Sequence, residues 1–117
     1  FYGQGGNDTI RAGGGDDQIY GGDNNDAIFG GTGSDVVYGG GGNDSLFGEG
    51  GNDYLYGEGG HDNLFGGTED DQLDGGSGSD YLFGEQGNDT LDGGQDDTTD
   101  FLYGGSGRDL FFRDPLG

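Results

Sequence analysis

Twelve aspartates recur along the chain at a nearly fixed spacing. Asp8, Asp17, Asp26, Asp35, Asp44, Asp53, Asp62, Asp71, Asp80 and Asp89 stand nine residues apart, Asp100 follows after eleven, and Asp109 after nine more. Carboxylates do two kinds of chemistry at such positions. They act as general acids and bases when a second titratable group is poised against them, or they hold a hard cation when other oxygens surround them. The adjacent pairs Asp16–Asp17, Asp70–Asp71 and Asp96–Asp97 lie inside a repeated turn, where they read as ligands or added negative charge rather than as acid–base couples. His61, the single histidine, stands beside Asp62 at a variable turn position with no serine or cysteine partner to complete a triad, and reads as a solvated loop residue. The chain is therefore expected not to be an enzyme by itself.

The residues around each aspartate keep the same register. Two positions after it comes a large apolar residue, in order Ile10, Ile19, Ile28, Val37, Leu46, Leu55, Leu64, Leu73, Leu82, Leu91, Leu102 and Phe111. Ahead of it lies a glycine-rich run, so the unit is G-G-x-G-x-D-x-U-x, with U the apolar residue. Repeats begin at Gly3, Ala12, Gly21, Gly30, Gly39, Gly48, Gly57, Gly66, Gly75, Gly84, Gly93 and Gly104. Ala12 is the exception to glycine at the first position, where the backbone is expected to need positive φ or close approach between turns. The fourth position lacks glycine at Asn24, at Glu69 and in the irregular repeat from Gly93. Asparagine tolerates left-handed geometry, and Glu69 is expected not to.

Such a unit predicts a six-residue turn followed by a three-residue strand whose middle side chain points inward. Two units make one flattened coil of 18 residues, and stacked coils make two parallel sheets. One sheet would carry Ile10, Ile28, Leu46, Leu64, Leu82 and Leu102 inward, and the other Ile19, Val37, Leu55, Leu73, Leu91 and Phe111, with Phe1 and Tyr2 in phase with the second set. The expected fold class is all-β, a parallel β-roll or β-solenoid with cation-binding turns at both edges, spanning residues 1–112, with 113–117 set apart as a C-terminal segment. The stretch GGQDDTTDFLY is two residues too long, and an expanded turn through Gln95 to Thr99 is needed to keep Asp100 in the turn column and Leu102 in the core. At the ninth position Tyr2, Tyr20, Tyr38 and Tyr56 should line the outside of one sheet, and Phe29, Phe47, Phe65 and Phe83 the other. These columns are open to two readings, cross-strand stacking that supports short strands or an exposed aromatic interface.

Composition narrows the partners. With 34 glycines, 26% hydrophobic residues and a net charge of −21, the bulk numbers describe a disordered polyanion, and only the periodicity overrides that description. Glycine follows a nine-residue rather than a three-residue period and Pro115 is alone, which excludes collagen. Without cysteine there is neither a disulfide framework nor a thiolate metal site. Positive charge is confined to Arg11, Arg108 and Arg113, so nucleic acid and anionic membranes are disfavoured partners. No apolar stretch approaches the roughly 20 residues of a membrane span, and no signal peptide opens the sequence. The natural counter-charge is a divalent cation. Sites between successive turns on each edge give about ten ions, whose charge of about +20 nearly cancels −21.

The units GGTGSDVVY at Gly30–Tyr38 and GGGGNDSLF at Gly39–Phe47 fit the pattern without exception, and over positions 3–112 the chain resembles the RTX, or haemolysin-type, calcium-binding repeat family. The resemblance implies a parallel β-roll, calcium held by turn carbonyls and by the twelve aspartates, and a place in proteins exported by type I secretion that fold on meeting calcium outside the cell. It leaves the biological role open between toxins, proteases, lipases, adhesins and surface-layer proteins. The reading is a calcium-binding module that supports secretion and stability of a larger secreted protein. Its rival is an extracellular structural, adhesive or surface-assembly protein that self-associates through the aromatic columns. The ends lack the polar caps that solenoids use, so the sequence reads either as a piece of a longer protein or as a chain whose ends meet neighbours.

Overall fold

The computed structural model describes residues 1–112, and the segment 113–117 set apart above lies outside the described residues. Thirteen strands follow one another: β1 (Tyr2–Gly5), β2 (Thr9–Gly14), β3 (Gln18–Asp23), β4 (Ala27–Thr32), β5 (Val36–Gly41), β6 (Ser45–Gly50), β7 (Tyr54–Gly59), β8 (Asn63–Thr68), β9 (Gln72–Asp74), β10 (Tyr81–Gln86), β11 (Thr90–Asp92), β12 (Phe101–Ser106) and β13 (Leu110–Phe112). Odd-numbered strands form a seven-stranded sheet and even-numbered strands a six-stranded one, each in simple spatial order and with parallel pairing throughout. Parallel neighbours need a crossover. Here each crossover is a strand of the opposite sheet, so one circuit of 18 residues passes once through each sheet, as the pairs Ile28↔Leu46 and Val37↔Leu55 record. The fold is the all-β parallel solenoid expected from the repeat.

Strands are longer than expected. Most run six residues rather than three, continuing past the aromatic position through the first three positions of the next unit. Extended chain alternates sides along that length, so the apolar residue and the first-position glycine two residues later both face inward and are buried. Ile19, Ile28, Val37, Leu46, Leu55, Leu64, Leu73, Leu82 and Leu91 form the core, with Ile10, Ala12 and Leu102 packed against it and less enclosed. Phe111, expected inside, is 47% exposed because its coil has a neighbour on only one side.

The glycines divide by task. Positive φ is required at the second and fourth positions, as at Gly31 (φ 107°) and Gly33 (φ 115°), whereas the first position is governed by close approach. Asn24 takes the left-handed conformation as expected. Glu69, expected not to, takes it as well with φ 77°. Its turn is clamped between coils above and below, and that stacking overrides a local preference of about 1–2 kcal/mol. Across the long repeat Leu82 pairs with Leu102 at a separation of 20 residues, so the insertion is absorbed in the turn and the sheet register survives.

Both aromatic columns form on the outer faces. Successive tyrosine rings from Tyr2 to Tyr56 stack at 4.9–5.1 Å, and phenylalanine rings from Phe29 to Phe83 at 4.7–5.1 Å. Arg11 continues the phenylalanine column, with its guanidinium 4.8 Å from the Phe29 centroid. The tyrosine column stops at Tyr56, where the next strand places Asp74 in register.

Candidate metal centres along the two turn columns

Stacking sorts the twelve aspartates into two columns, one per edge. Asp8, Asp26, Asp44, Asp62, Asp80 and Asp100 follow one another on the first edge, and Asp17, Asp35, Asp53, Asp71, Asp89 and Asp109 on the second. Asp100 is in its column despite the two extra residues. The expanded turn is held by Gly78 N–H donating to Asp96 Oδ2 at 2.6 Å and by the Thr98 hydroxyl donating to the Gly78 carbonyl at 2.6 Å.

Every aspartate in a column is tied to the next by the same bond. The backbone N–H of one donates to Oδ1 of the aspartate one coil on, at 2.7–2.9 Å. The backbone carbonyl is also engaged, accepting from the following coil, as Asp26 does from Ser45 N–H at 2.8 Å. The second carboxylate oxygen is different. Oδ2 of Asp8, Asp17, Asp26, Asp35, Asp44, Asp53, Asp62, Asp71, Asp80 and Asp89 is buried without a hydrogen-bond partner. Each of these ten aspartates has a further coil stacked beyond it, so there is one orphaned oxygen for each inter-coil step.

Oδ2 lies against the first-position glycine of its own unit. A methyl on Gly48 would sit 2.5 Å from Asp53 Oδ2 and 2.6 Å from the carbonyl oxygen of Gly66 in the next coil, and one on Gly57 would meet Asp62 Oδ2 and the Gly75 carbonyl at 2.5 and 2.6 Å. The same pair of oxygens, one carboxylate and one carbonyl, borders the space over Gly3, Gly21, Gly30, Gly39, Gly66 and Gly84. Glycine at this position lets the two oxygens close in on its α-carbon, where any β-carbon would collide with them.

Electrostatics make that space unfavourable without a cation. Asp35, Asp44, Asp53, Asp62, Asp71, Asp80 and Asp89 are at most 1% exposed. Burial pushes Asp44, Asp53 and Asp80 up to about 6, and Asp62 and Asp71 up to about 8, partly offset by the N–H donated to each and increased by neighbouring carboxylates. Asp35, Asp89 and Asp100 are raised for the same leading reason. Among the described residues no three carboxylate or imidazole groups converge on a single point. A cation between coils would therefore draw most of its ligands from backbone carbonyls, with Oδ2 supplying the charge. That donor set is all oxygen, which suits calcium and not a thiophilic or imidazole-seeking metal.

A second ladder lies outside the first and was not anticipated from the sequence. At the fifth position, Asn25 N–H donates to Asn7 Oδ1, Asn43 to Asn25, His61 to Asn43, and Ser79 to His61 Nδ1, at 2.7–3.0 Å. On the other edge Ser34 donates to Asp16, Asp70 to Asn52, Asn88 to Asp70 and Arg108 to Asn88. His61 is exposed in its turn, as expected of a solvated loop residue, and is in addition a rung of this ladder, with Nδ1 serving as acceptor. The signal was the short polar side chain at each fifth position, Asn, Asp, Ser or His in all but the last units.

The family model of the RTX calcium-binding nonapeptide repeat matches residues 2–37, 29–64, 38–73, 65–99 and 99–113. The chain belongs to the RTX calcium-binding repeat family. Its matched segments run nearly end to end, so the whole stack is a calcium-binding repeat module, and the family is a structural rather than a catalytic one. No curated protein and no solved structure matches the chain. No helix of the described residues is long and apolar enough to cross a membrane.

Proposed function

We propose that this RTX module uses calcium as the missing component of its fold, binding about ten ions between successive turns of both columns, with the twelve aspartates supplying the carboxylate ligands. The observation that carries the reading is the set of buried, unpartnered Oδ2 atoms in a chain of net charge −21. A buried carboxylate without a partner is costly, and at eight of the ten the group facing the same glycine as Oδ2 is a carbonyl, a second oxygen rather than a donor. Calcium, when bound, supplies positive charge and coordination that no side chain here provides. If each site has a dissociation constant of about 0.1 mM, calcium at about 1 mM contributes roughly 1.4 kcal/mol per site, and about ten sites together match the stability of an ordinary domain.

RTX repeats are typical of secreted proteins, and we assign this module to the cell exterior, where it folds on meeting calcium and supports export and stability of the protein that carries it. The rival reading, self-association through the aromatic columns, is weakened by their geometry. Stacked rings cover one another's faces and leave mainly edges outward. Circular dichroism tests the central claim: a disordered chain in chelator and cooperative gain of β-structure at millimolar calcium are expected, with magnesium a poor substitute because it prefers smaller octahedral sites. Equal β-content with and without calcium would refute it.

A further inference from the structure

Eleven of the twelve repeats open with glycine, and at each of those eleven a methyl group would lie no more than 2.6 Å from the Oδ2 of that repeat's aspartate. Real carbon–oxygen contacts are not that short. The twelfth repeat opens with Ala12, whose side chain points inward against the core. Its repeat carries Asp17, which holds the same place in its column as the others, donating its N–H to Asp35 Oδ1 at 2.8 Å and leaving Oδ2 without a partner. A methyl at this position cannot coexist with the arrangement of oxygens shared by the other eleven repeats, so Asp17 Oδ2 or the facing oxygen of the next coil must give way, and the methyl offers Oδ2 nothing to bond to.

We infer that Ala12 disables the calcium site of Asp17, which takes this one aspartate out of the ligand set proposed above, so the second edge of the roll binds one ion fewer than the first. Asp8 is the matched comparison. It stands at the same level of the stack on the opposite edge, and its first-position residue is Gly3, which puts no β-carbon against Asp8 Oδ2 and the Gly21 carbonyl. The inference rests on the calcium reading above and adds to it that a single methyl decides occupancy.

The test counts ions per chain by equilibrium dialysis at saturating calcium, with circular dichroism confirming that each variant is folded. Asp17→Asn should leave the wild-type count unchanged, whereas Asp8→Asn should lower it by one. Ala12→Gly should raise it by one, and adding Asp17→Asn to Ala12→Gly should remove that ion again. The calcium midpoint of folding supplies an independent readout. Replacing alanine by glycine by itself loosens the unfolded chain and raises the midpoint, so a lower midpoint in Ala12→Gly marks a site gained. Loss of one ion on Asp17→Asn in the wild-type chain, or an unchanged count in Ala12→Gly, would overturn the inference while leaving the calcium reading intact. A wild-type chain that takes up no calcium would instead refute the reading on which it rests.

Discussion

His61 and Asp62 are neighbours in one turn, yet they belong to two ladders with opposite characters. The outer rung is exposed and complete: His61 gives its N–H to Asn43 and receives one from Ser79. The inner rung is buried and incomplete, because Asp62 accepts from Asp44 N–H through Oδ1 and has nothing for Oδ2. The outer ladder accepts Asn, Asp and His as acceptors, since any short acceptor closes the bond. The inner ladder is aspartate at every repeat. What distinguishes the two columns is an unused valence and a buried charge, and those are what a cation requires.

Replacing Asp62 by asparagine sharpens the contrast most, because the sign of its effect depends on calcium. The amide keeps the Oδ1 acceptor for Asp44 N–H, while the buried charge disappears. In calcium the variant should fold with a higher midpoint, losing about 1.4 kcal/mol or more at millimolar ion; in chelator it should show more β-structure than wild type. A midpoint unchanged in calcium would show that Asp62 is no ligand.

Acid should act on the inner ladder in the same direction as that substitution. The buried aspartates have pKa values raised above those of the unfolded chain, to about 6 for Asp44, Asp53 and Asp80 and about 8 for Asp62 and Asp71. The folded state then binds more protons than the unfolded one, so without calcium its stability is greatest below the unfolded value near 3.8 and is lost as pH rises through about 6 to 8. Titration in chelator followed by circular dichroism should show β-structure gained on acidification. In calcium the dependence reverses across the same window, because protons compete for Oδ2.

Position within the stack gives a smaller difference. Asp53 has coils on both sides and Asp8 only one, so Asp53→Ala should raise the calcium midpoint more than Asp8→Ala; equal shifts would mean that sites act independently rather than through nearest neighbours. The outer ladder should give the smallest effects of this kind. Asn43→Ala removes the acceptor for His61 N–H at an exposed rung and should cost about 0.5–1.5 kcal/mol with no change in ions bound. Smaller or comparable is Glu69→Gly, which relieves a left-handed glutamate and should lower the calcium midpoint by an amount equivalent to about 1 kcal/mol.

Much of this was readable from spacing. A period of nine with one aspartate and one apolar residue per unit leads to alternate repeats in alternate sheets, and the two extra residues before Asp100 had only one place to go if Leu102 was to remain in register with Leu82. The outer ladder was hidden because Asn, Asp, Ser and His read as general polarity, and their shared role shows only when coils are stacked. Glu69 departs from its expected geometry for a related reason: its conformation is dictated by the coils it lies between, not by its own preference. The orphaned oxygens are a property of assembly too, since a sequence states that a carboxylate is present but not which of its oxygens is already engaged.

The two ladders also run in opposite directions. In the inner one an earlier coil donates to a later coil, as Asp44 does to Asp62, and in the outer one the later coil donates to the earlier, as His61 does to Asn43. Any cross-section through the stack therefore exposes two unlike faces, one with bare inner N–H groups and outer acceptors, the other with inner carboxylates and outer N–H groups. Each face complements the other and repels its own kind. Two such rolls meeting end to end would satisfy both ladders head to tail and not about a two-fold axis, and an interface of that symmetry gives a ring where its rotation closes and a filament where it does not.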